Sequence, residues 1–293
     1  MWQGLDLAYN YFRRLDPRLL ANLPSLRRLD LSGNALEVVA PDAFQNTHAL
    51  EHINLSRNAL TNLHPATFRN LLGLFELDLG WNRLRELVPT LPPGLEYLYA
   101  SRNQLTALPL TPRLTLPALR LLDLTGNGIQ TIVPGSMSAL VQLRWLLLGE
   151  NALQTLEDGS LSGLARLETL DLHNNRLLTL GDRCLRDVPQ LKQLNLHGNR
   201  LERLGTQHLK ENVHLTHLNL SHNQLNNIEN NALASNRYLL LVKIHVHRLV
   251  EITLVVTTTK TTKQQSVSFA FLILGSYTET MKISSTDSGN DCI

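Results

Sequence analysis

Cysteine is nearly absent: Cys184 and Cys292 are the only two in 293 residues. A disulfide framework of the kind that staples small secreted scaffolds is therefore excluded, and the wide separation of the two thiols gives no reason to pair them. The redox compartment stays open. Charge of one sign is missing too, because 27 Lys and Arg stand against 25 Asp and Glu, a formal net charge of +2. A field that weak does not draw nucleic acid or anionic lipid, so partner choice must come from local surface. A long uncharged apolar run is also lacking. The stretch from Tyr238 to Val256 carries Lys243, His245, His247, Arg248 and Glu251, which a lone membrane span does not tolerate. The opening residues Met1-Trp2-Gln3-Gly4-Leu5-Asp6 show neither the basic nor the apolar region of a signal peptide. No membrane insertion is expected, and no address is visible.

Catalytic motifs are missing as well. There is no Gly-rich phosphate loop, no HExxH and no nucleophile elbow, and His and Asp are scattered instead of converging. No enzyme activity, cofactor or metal is expected. Cys184 stands next to apolar Leu185, which suits a structural thiol better than a nucleophile.

What is there is a period. An Asn flanked by apolar positions recurs at 10, 34, 58, 82, 103, 127, 151, 175, 199 and 223, every step being 24 residues except one of 21. Around each marker the same frame returns, as in Leu26-x-x-Leu29-x-Leu31-x-x-Asn34-x-Leu36 and Leu191-x-x-Leu194-x-Leu196-x-x-Asn199-x-Leu201. Within a copy the apolar pair alternates with polar residues, as in Leu170-Asp171-Leu172, which reads as a short strand with one face buried. The marker Asn sits where the chain leaves that strand, and its amide is suited to backbone groups that no ladder satisfies. A further apolar residue at fixed offset (Leu20, Phe44, Phe68, Met137, Leu161, Leu185, Leu209, Leu233) closes the core from the far side. One copy cannot bury its own apolar face, so stability comes from stacking, and a curved stack leaves a concave sheet facing solvent.

The frame, its 24-residue length and phrases such as Leu29-Asp30-Leu31-Ser32-Gly33-Asn34-Ala35-Leu36 resemble the leucine-rich repeats of animal extracellular proteins: small leucine-rich proteoglycans, Toll-type ectodomains and secreted insect immune repeat proteins. The resemblance covers about residues 2 to 235. It implies an α/β leucine-rich-repeat solenoid, a horseshoe with a parallel β-sheet on the concave face and loops and short helical turns on the convex face. It further implies a non-enzymatic module that binds a protein or glycan on the concave face, extracellular and secreted, in matrix organisation or innate immunity. A truncated signalling-receptor ectodomain and an intracellular scaffold are the alternatives, since those families share the repeat and differ in what they bind. The short copy, Leu91-Pro92-Pro93-Gly94-Leu95-Glu96-Tyr97-Leu98-Tyr99, is expected to perturb the curvature locally.

The family's cysteine-rich caps have no counterpart, and the chain opens already in frame with Trp2, Leu5, Leu7, Asn10 and Phe12. The solenoid is expected to occupy residues 1–249 in ten to eleven copies, the last with His247 in the Asn position. Residues 250–293, with the tract Thr257-Thr258-Thr259-Lys260-Thr261-Thr262-Lys263, read as a non-repeat tail: disordered, improvised, an unfamiliar cap or an artefact of gene prediction. An uncapped end exposes core, which makes a homodimer through that end an expectation.

Aromatic residues are few, 5% of the chain, yet four of the nine Tyr and Trp fall in one run of central copies. Phe75, Trp81, Tyr97, Tyr99 and Trp145, with Arg102, Arg120 and Arg144 nearby, are the residue types that dominate interface energies, and they form the candidate partner site. Strand preference alone is the competing explanation, and Trp81 is alternatively placed against the loop of its own copy. His173, His197, His217 and His222 form a second group, better suited to a pH-sensitive surface than to zinc, which needs ligands converging on one point. The acidic column Asp6, Asp30, Asp78, Asp123 and Asp171 is read as solvation and local bonding. Asn54-Leu55-Ser56 and Asn219-Leu220-Ser221 are glycan acceptors if the chain is secreted.

Overall fold

The computed structural model describes residues 3–108 and 116–244 in full and three later strands as backbone. Trp2, His247, Leu249 and the expected boundary at 249/250 lie outside the described residues. Each copy contributes one short strand: β1 (Gly4–Asp6), β2 (Arg28–Asp30), β3 (His52–Asn54), β4 (Glu76–Asp78), β5 (Tyr97–Tyr99), β6 (Leu121–Asp123), β7 (Trp145–Leu147), β8 (Thr169–Asp171), β9 (Gln193–Asn195), β10 (His217–Leu220) and β11 (Leu241–Ile244). All eleven pair in parallel, each with its neighbour in sequence, in one continuous sheet. Register follows the repeat, so Leu29 pairs with Ile53, Leu77 with Leu98 and Leu98 with Leu122. The middle residue of a strand is buried and its two neighbours face outward, which is the alternation that a period of two imposes.

Three-residue strands make few ladder bonds, and the marker asparagines supply the rest. Asn151 donates through Nδ2 to the carbonyls of Leu124, Leu148 and Gly149 at 3.0, 3.1 and 3.1 Å, and its Oδ1 accepts the Ile129 N–H at 3.0 Å. Asn82, Asn175, Asn199 and Asn223 repeat the pattern. Each buried amide thus ties its copy to the one before it. The residue preceding the marker turns the chain inward through a left-handed backbone, φ +65° at Gly33, +71° at Gly126 and +68° at Gly198, but also +54° at Tyr9, +56° at Trp81 and +54° at Arg102.

The far side closes as the offset residues require. Leu20, Phe44, Phe68, Met137, Leu161, Leu185, Leu209 and Leu233 are all buried, with Phe44 and Phe68 stacked at 5.8 Å. The convex side is made of turns, two-residue bridges such as Thr155–Leu156 against Thr179–Leu180, and one 3-10 turn over Pro17–Leu20. In the last copies a second amide pair runs through the back of the core. Asn212 donates to the Leu185 and Val188 carbonyls, and Asn236 to those of Leu209 and Asn212.

The 21-residue copy leaves the front of the stack intact. Asn103 Nδ2 still reaches a carbonyl of the preceding copy, Leu79 at 2.9 Å, and its Oδ1 accepts the Leu84 N–H at 2.9 Å. Strand-to-Asn spacing is the same as in its neighbours, so the missing residues come out of the convex half. Beyond the repeats, β12 (Ile252–Thr258) pairs antiparallel with β13 (Gln265–Phe271), and β14 (Glu279–Lys282) pairs antiparallel with β11. Among the described residues no helix is long and apolar enough to cross a membrane.

Candidate binding face

Because register is strict, the outward positions line up as strips across the sheet: a floor, a lower edge and an upper rim. The floor is the first and third residue of each strand. From β1 to β4 it holds Asp6, Arg28, Asp30, His52, Glu76 and Asp78, lining a trough of about 590 Å³. From β5 to β7 it changes to Tyr97, Tyr99, Leu121, Trp145 and Leu147, all half-buried, with Asp123 between them. From β8 to β10 it is polar again, with Thr169, Asp171, Gln193, Asn195, His217 and Asn219 along a second trough of about 220 Å³ that ends at Leu241 and Lys243 of β11. An apolar interval of three strands therefore divides two polar stretches.

The acidic column does the local bonding expected of it. Oδ1 of Asp30, Asp78 and Asp123 accepts the N–H two residues on, from Ser32, Gly80 and Thr125, at 2.8 to 2.9 Å. Asn54, Asn195 and Asn219 occupy the same column and make the same bond. Burial, with help from the Glu76 and Asp123 charges, raises the Asp78 carboxyl above the usual range. Tyr99, which pairs in register with both Asp78 and Asp123, is raised for the same reasons: burial first, then Glu76 and Asp78.

Edge and rim separate the three candidate arginines. On the edge, Phe75 lies between His52 and Tyr97, at centroid distances of 5.6 and 5.1 Å. Along the same edge Arg120 pairs with Glu96 at 2.9 Å, and Glu168 bridges Arg144 at 3.0 Å and Lys192 at 2.7 Å. The Lys192 hydrogen bond is the main cause that lowers the Glu168 carboxyl. Arg102 is on the opposite rim. There Trp81, 53% exposed, is held between the guanidiniums of Arg57 and Arg102, each 5.4 Å from its ring. Trp81 thus meets side chains of the copies before and after, because its left-handed backbone stands the indole in line with the equivalent residues. Arg102 then crosses Gly126, where a Cβ would come within 2.7 Å of it, and reaches Glu150 at 2.6 Å. Arg57 and Glu150 were not among the sequence candidates.

The histidines divide. His197 meets His222 edge-on at 4.8 Å, and its Nδ1 is 2.8 Å from Ser221 Oγ. Burial first, then His222, His173 and Lys243, lower the His197 imidazole. His173 lies against Asp171 at 2.8 Å, while His217 bonds Thr216 on the floor side. No group of three or more His, Cys, Asp or Glu able to hold a metal ion occurs among the described residues. Both sequon asparagines are half-buried floor residues: Asn54 donates to Asp30 at 3.2 Å, and Asn219 accepts from Ser221. Burial raises the Cys184 thiol to about 12.

The profile of the family described as leucine rich repeat matches residues 3–36, 26–84, 93–153, 142–201 and 189–242. No curated protein matches the chain. Among solved structures, the leucine-rich repeat domain of APL1B is 28% identical, with a TM-score of 0.67 over 85% of this chain and 70% of that one. A chain of the Toll–Spatzle complex of Drosophila is 24% identical, with a TM-score of 0.66 over 76% of this chain, which spans only 32% of the other. A chain from an octameric complex of Latrophilin 3, Unc5D and FLRT2 is 22% identical, with a TM-score of 0.68 over 82% of this chain and 74% of that one. The last two show likeness of fold alone.

Proposed function

Since the chain belongs to the leucine-rich-repeat family, we propose that it is a non-enzymatic recognition module that holds a protein partner on the floor of its concave sheet. The observation that carries this reading is the apolar interval Tyr97, Tyr99, Leu121, Trp145 and Leu147, set on the solvent side of a sheet whose floor is polar on β2 to β4 and on β8 to β10. Large rigid aromatics next to a polar surround are where interface energy concentrates. Arg102, Arg120 and Arg144 serve at the margins, since each is already engaged with a carboxylate, and Phe75 and Trp81 flank the interval on edge and rim. Solved relatives of this fold include Toll with Spatzle and a complex with Latrophilin 3 and Unc5D, which supports a protein ligand ahead of a glycan. The same reading takes residues 1–249 as the recognition solenoid and 250–293 as a separate tail, and places the protein outside the cell, in matrix or innate immunity, with Asn54 and Asn219 as glycan acceptors.

The test is partner capture from the natural source with wild type, Trp145→Ala, Tyr99→Ala and Asp30→Asn. The two aromatic variants are expected to weaken binding by about tenfold or more, and Asp30→Asn to change it little. Equal losses in all three defeat a localised site. Peptide mapping of the natural protein over Asn54 and Asn219 tests the setting separately: unmodified asparagines count against secretion.

A further inference from the structure

The acids of this sheet fall into two populations. On the edge and rim, Glu51, Glu96, Glu150 and Glu168 each face a guanidinium. On the floor, Asp6, Asp30, Asp78 and Asp123 make no ion pair among the described residues, and Glu76 and Asp171 have only a histidine each, His52 at 3.0 Å and His173 at 2.8 Å. The turn chemistry does not call for this charge. Asn54, Asn195 and Asn219 accept the same N–H from the same column without it, so a neutral amide serves the scaffold equally well. Two of the unneutralised carboxylates, Asp78 and Asp123, stand on either side of Tyr99 in register, the first at the margin of the aromatic interval and the second inside it.

We propose that this part of the floor takes a basic polypeptide segment, whose Arg and Lys heads reach Asp78 and Asp123 while their stems lie on Tyr97, Tyr99 and Trp145. The proposal rests on the reading that the floor is the partner surface, and it adds the chemistry of the partner. Charge complementarity commits it to this occupant. Carboxylates left unpaired and partly desolvated attract a cation more strongly than exposed ones do, and aromatic faces beside them add cation–π attraction. The chain already uses that contact internally, with Trp81 between Arg57 and Arg102. Burial raises the Asp78 carboxyl, and the neighbouring Glu76 and Asp123 charges add to it, so a bound cation offsets part of that cost. A net charge of +2 offers a polycation no general attraction, so any affinity for one reports a local field.

The experiment is fluorescence anisotropy of the full chain with three labelled eight-residue peptides: Arg/Lys-rich, Glu-rich, and neutral Gly/Ser. The basic peptide is expected to bind and the other two not, with affinity falling as salt rises. Asp78→Asn with Asp123→Asn is expected to weaken it by about tenfold or more, with an unchanged unfolding midpoint, because the amides keep the turn bonds. Tyr99→Ala is expected to weaken it as well. Asp42→Asn with Glu211→Gln, which removes two acids from convex turns, is expected to leave it unchanged. Binding of the neutral or acidic peptide as tightly as the basic one, no binding of any of the three, or wild-type affinity in the Asp78/Asp123 double variant overturns the proposal. If Trp145→Ala still abolishes capture of the natural partner in such a case, the partner surface stands and only its basic ligand falls.

Discussion

Asn151 makes four hydrogen bonds to backbone groups of its own copy and the one before. Asn10, in the first copy, reaches only the Leu7 and Ala8 carbonyls of its own copy and is exposed. Truncating the buried amide leaves the Ile129 N–H without its acceptor, at about 1–3 kcal/mol, while the Leu124, Leu148 and Gly149 carbonyls keep Asn127, Asn175 and the Gly126 N–H. Asn151→Ala is therefore expected to lower stability by at least that amount and Asn10→Ala by far less, read as denaturant midpoints at constant m. A second residue-scale effect concerns His208, which is buried and accepts the Gly205 N–H at 3.0 Å through Nδ1. Burial lowers its imidazole below the ordinary value, so the unfolded chain binds a proton more readily than the folded one. Its contribution is present above about pH 6.5 and is lost as pH falls through the folded-state value. His208→Asn keeps an acceptor that does not titrate, and the variant is expected to lose less stability than wild type between pH 7 and about 5; parallel curves refute this role. The marker asparagines were legible because one side chain serves one job at every copy. The left-handed position before each marker was not, because Tyr9, Arg57, Trp81, Arg102, Glu150, Asn174 and His222 share it with three glycines, and their backbone is imposed by the copies stacked around them.

At the scale of elements, the strands were readable from alternation and the convex turns only as spacing. Apolar residues at a fixed offset show where the core closes, but turns held by stacking leave no periodicity to read. Glycines in those turns differ in what they are needed for. Gly135 and Gly163 both have positive φ, +76° and +92°, yet a Cβ on Gly135 meets nothing within 4 Å, whereas one on Gly163 comes within 2.5 Å of Ser138 Cα in the preceding copy. Gly135→Ala should cost only the backbone strain, about 1–3 kcal/mol, and Gly163→Ala distinctly more, since backbone has to move. Equal thermal shifts contradict the close approach. The same one-residue geometry separates the three candidate arginines. Arg120 and Arg144 precede their strands and Arg102 follows its own, which puts them on opposite sides of the floor although all three look adjacent to aromatics in sequence. Asn212 and Asn236 were overlooked because they stand where most other copies carry Leu or Val, and only the last two copies use an amide there.

For the whole molecule, stability is a sum over neighbouring copies. Leu5 and Leu7 are only partly buried, whereas Leu98, Leu146 and Leu170, with a copy stacked on either side, are sealed. Native-state hydrogen exchange is expected to be slowest in β5–β8 and to quicken toward β1; uniform protection along the stack contradicts nearest-neighbour coupling. The fold as a whole was legible from ten marker positions, while the binding face was legible only in composition, because strip membership depends on register.

The short copy has a mechanical consequence for that face. A stack of this kind is an arch, and each copy is a wedge whose taper is set by how much more chain lies at its back than at its front. The copy that ends at Asn103 has three fewer residues than its neighbours, all taken from the back, while its strand keeps full register in front. It is therefore the least tapered stone in the arch. It also carries Tyr97 and Tyr99, so the sheet is expected to bend least at these two tyrosines, where an extended ligand has the least curvature to follow.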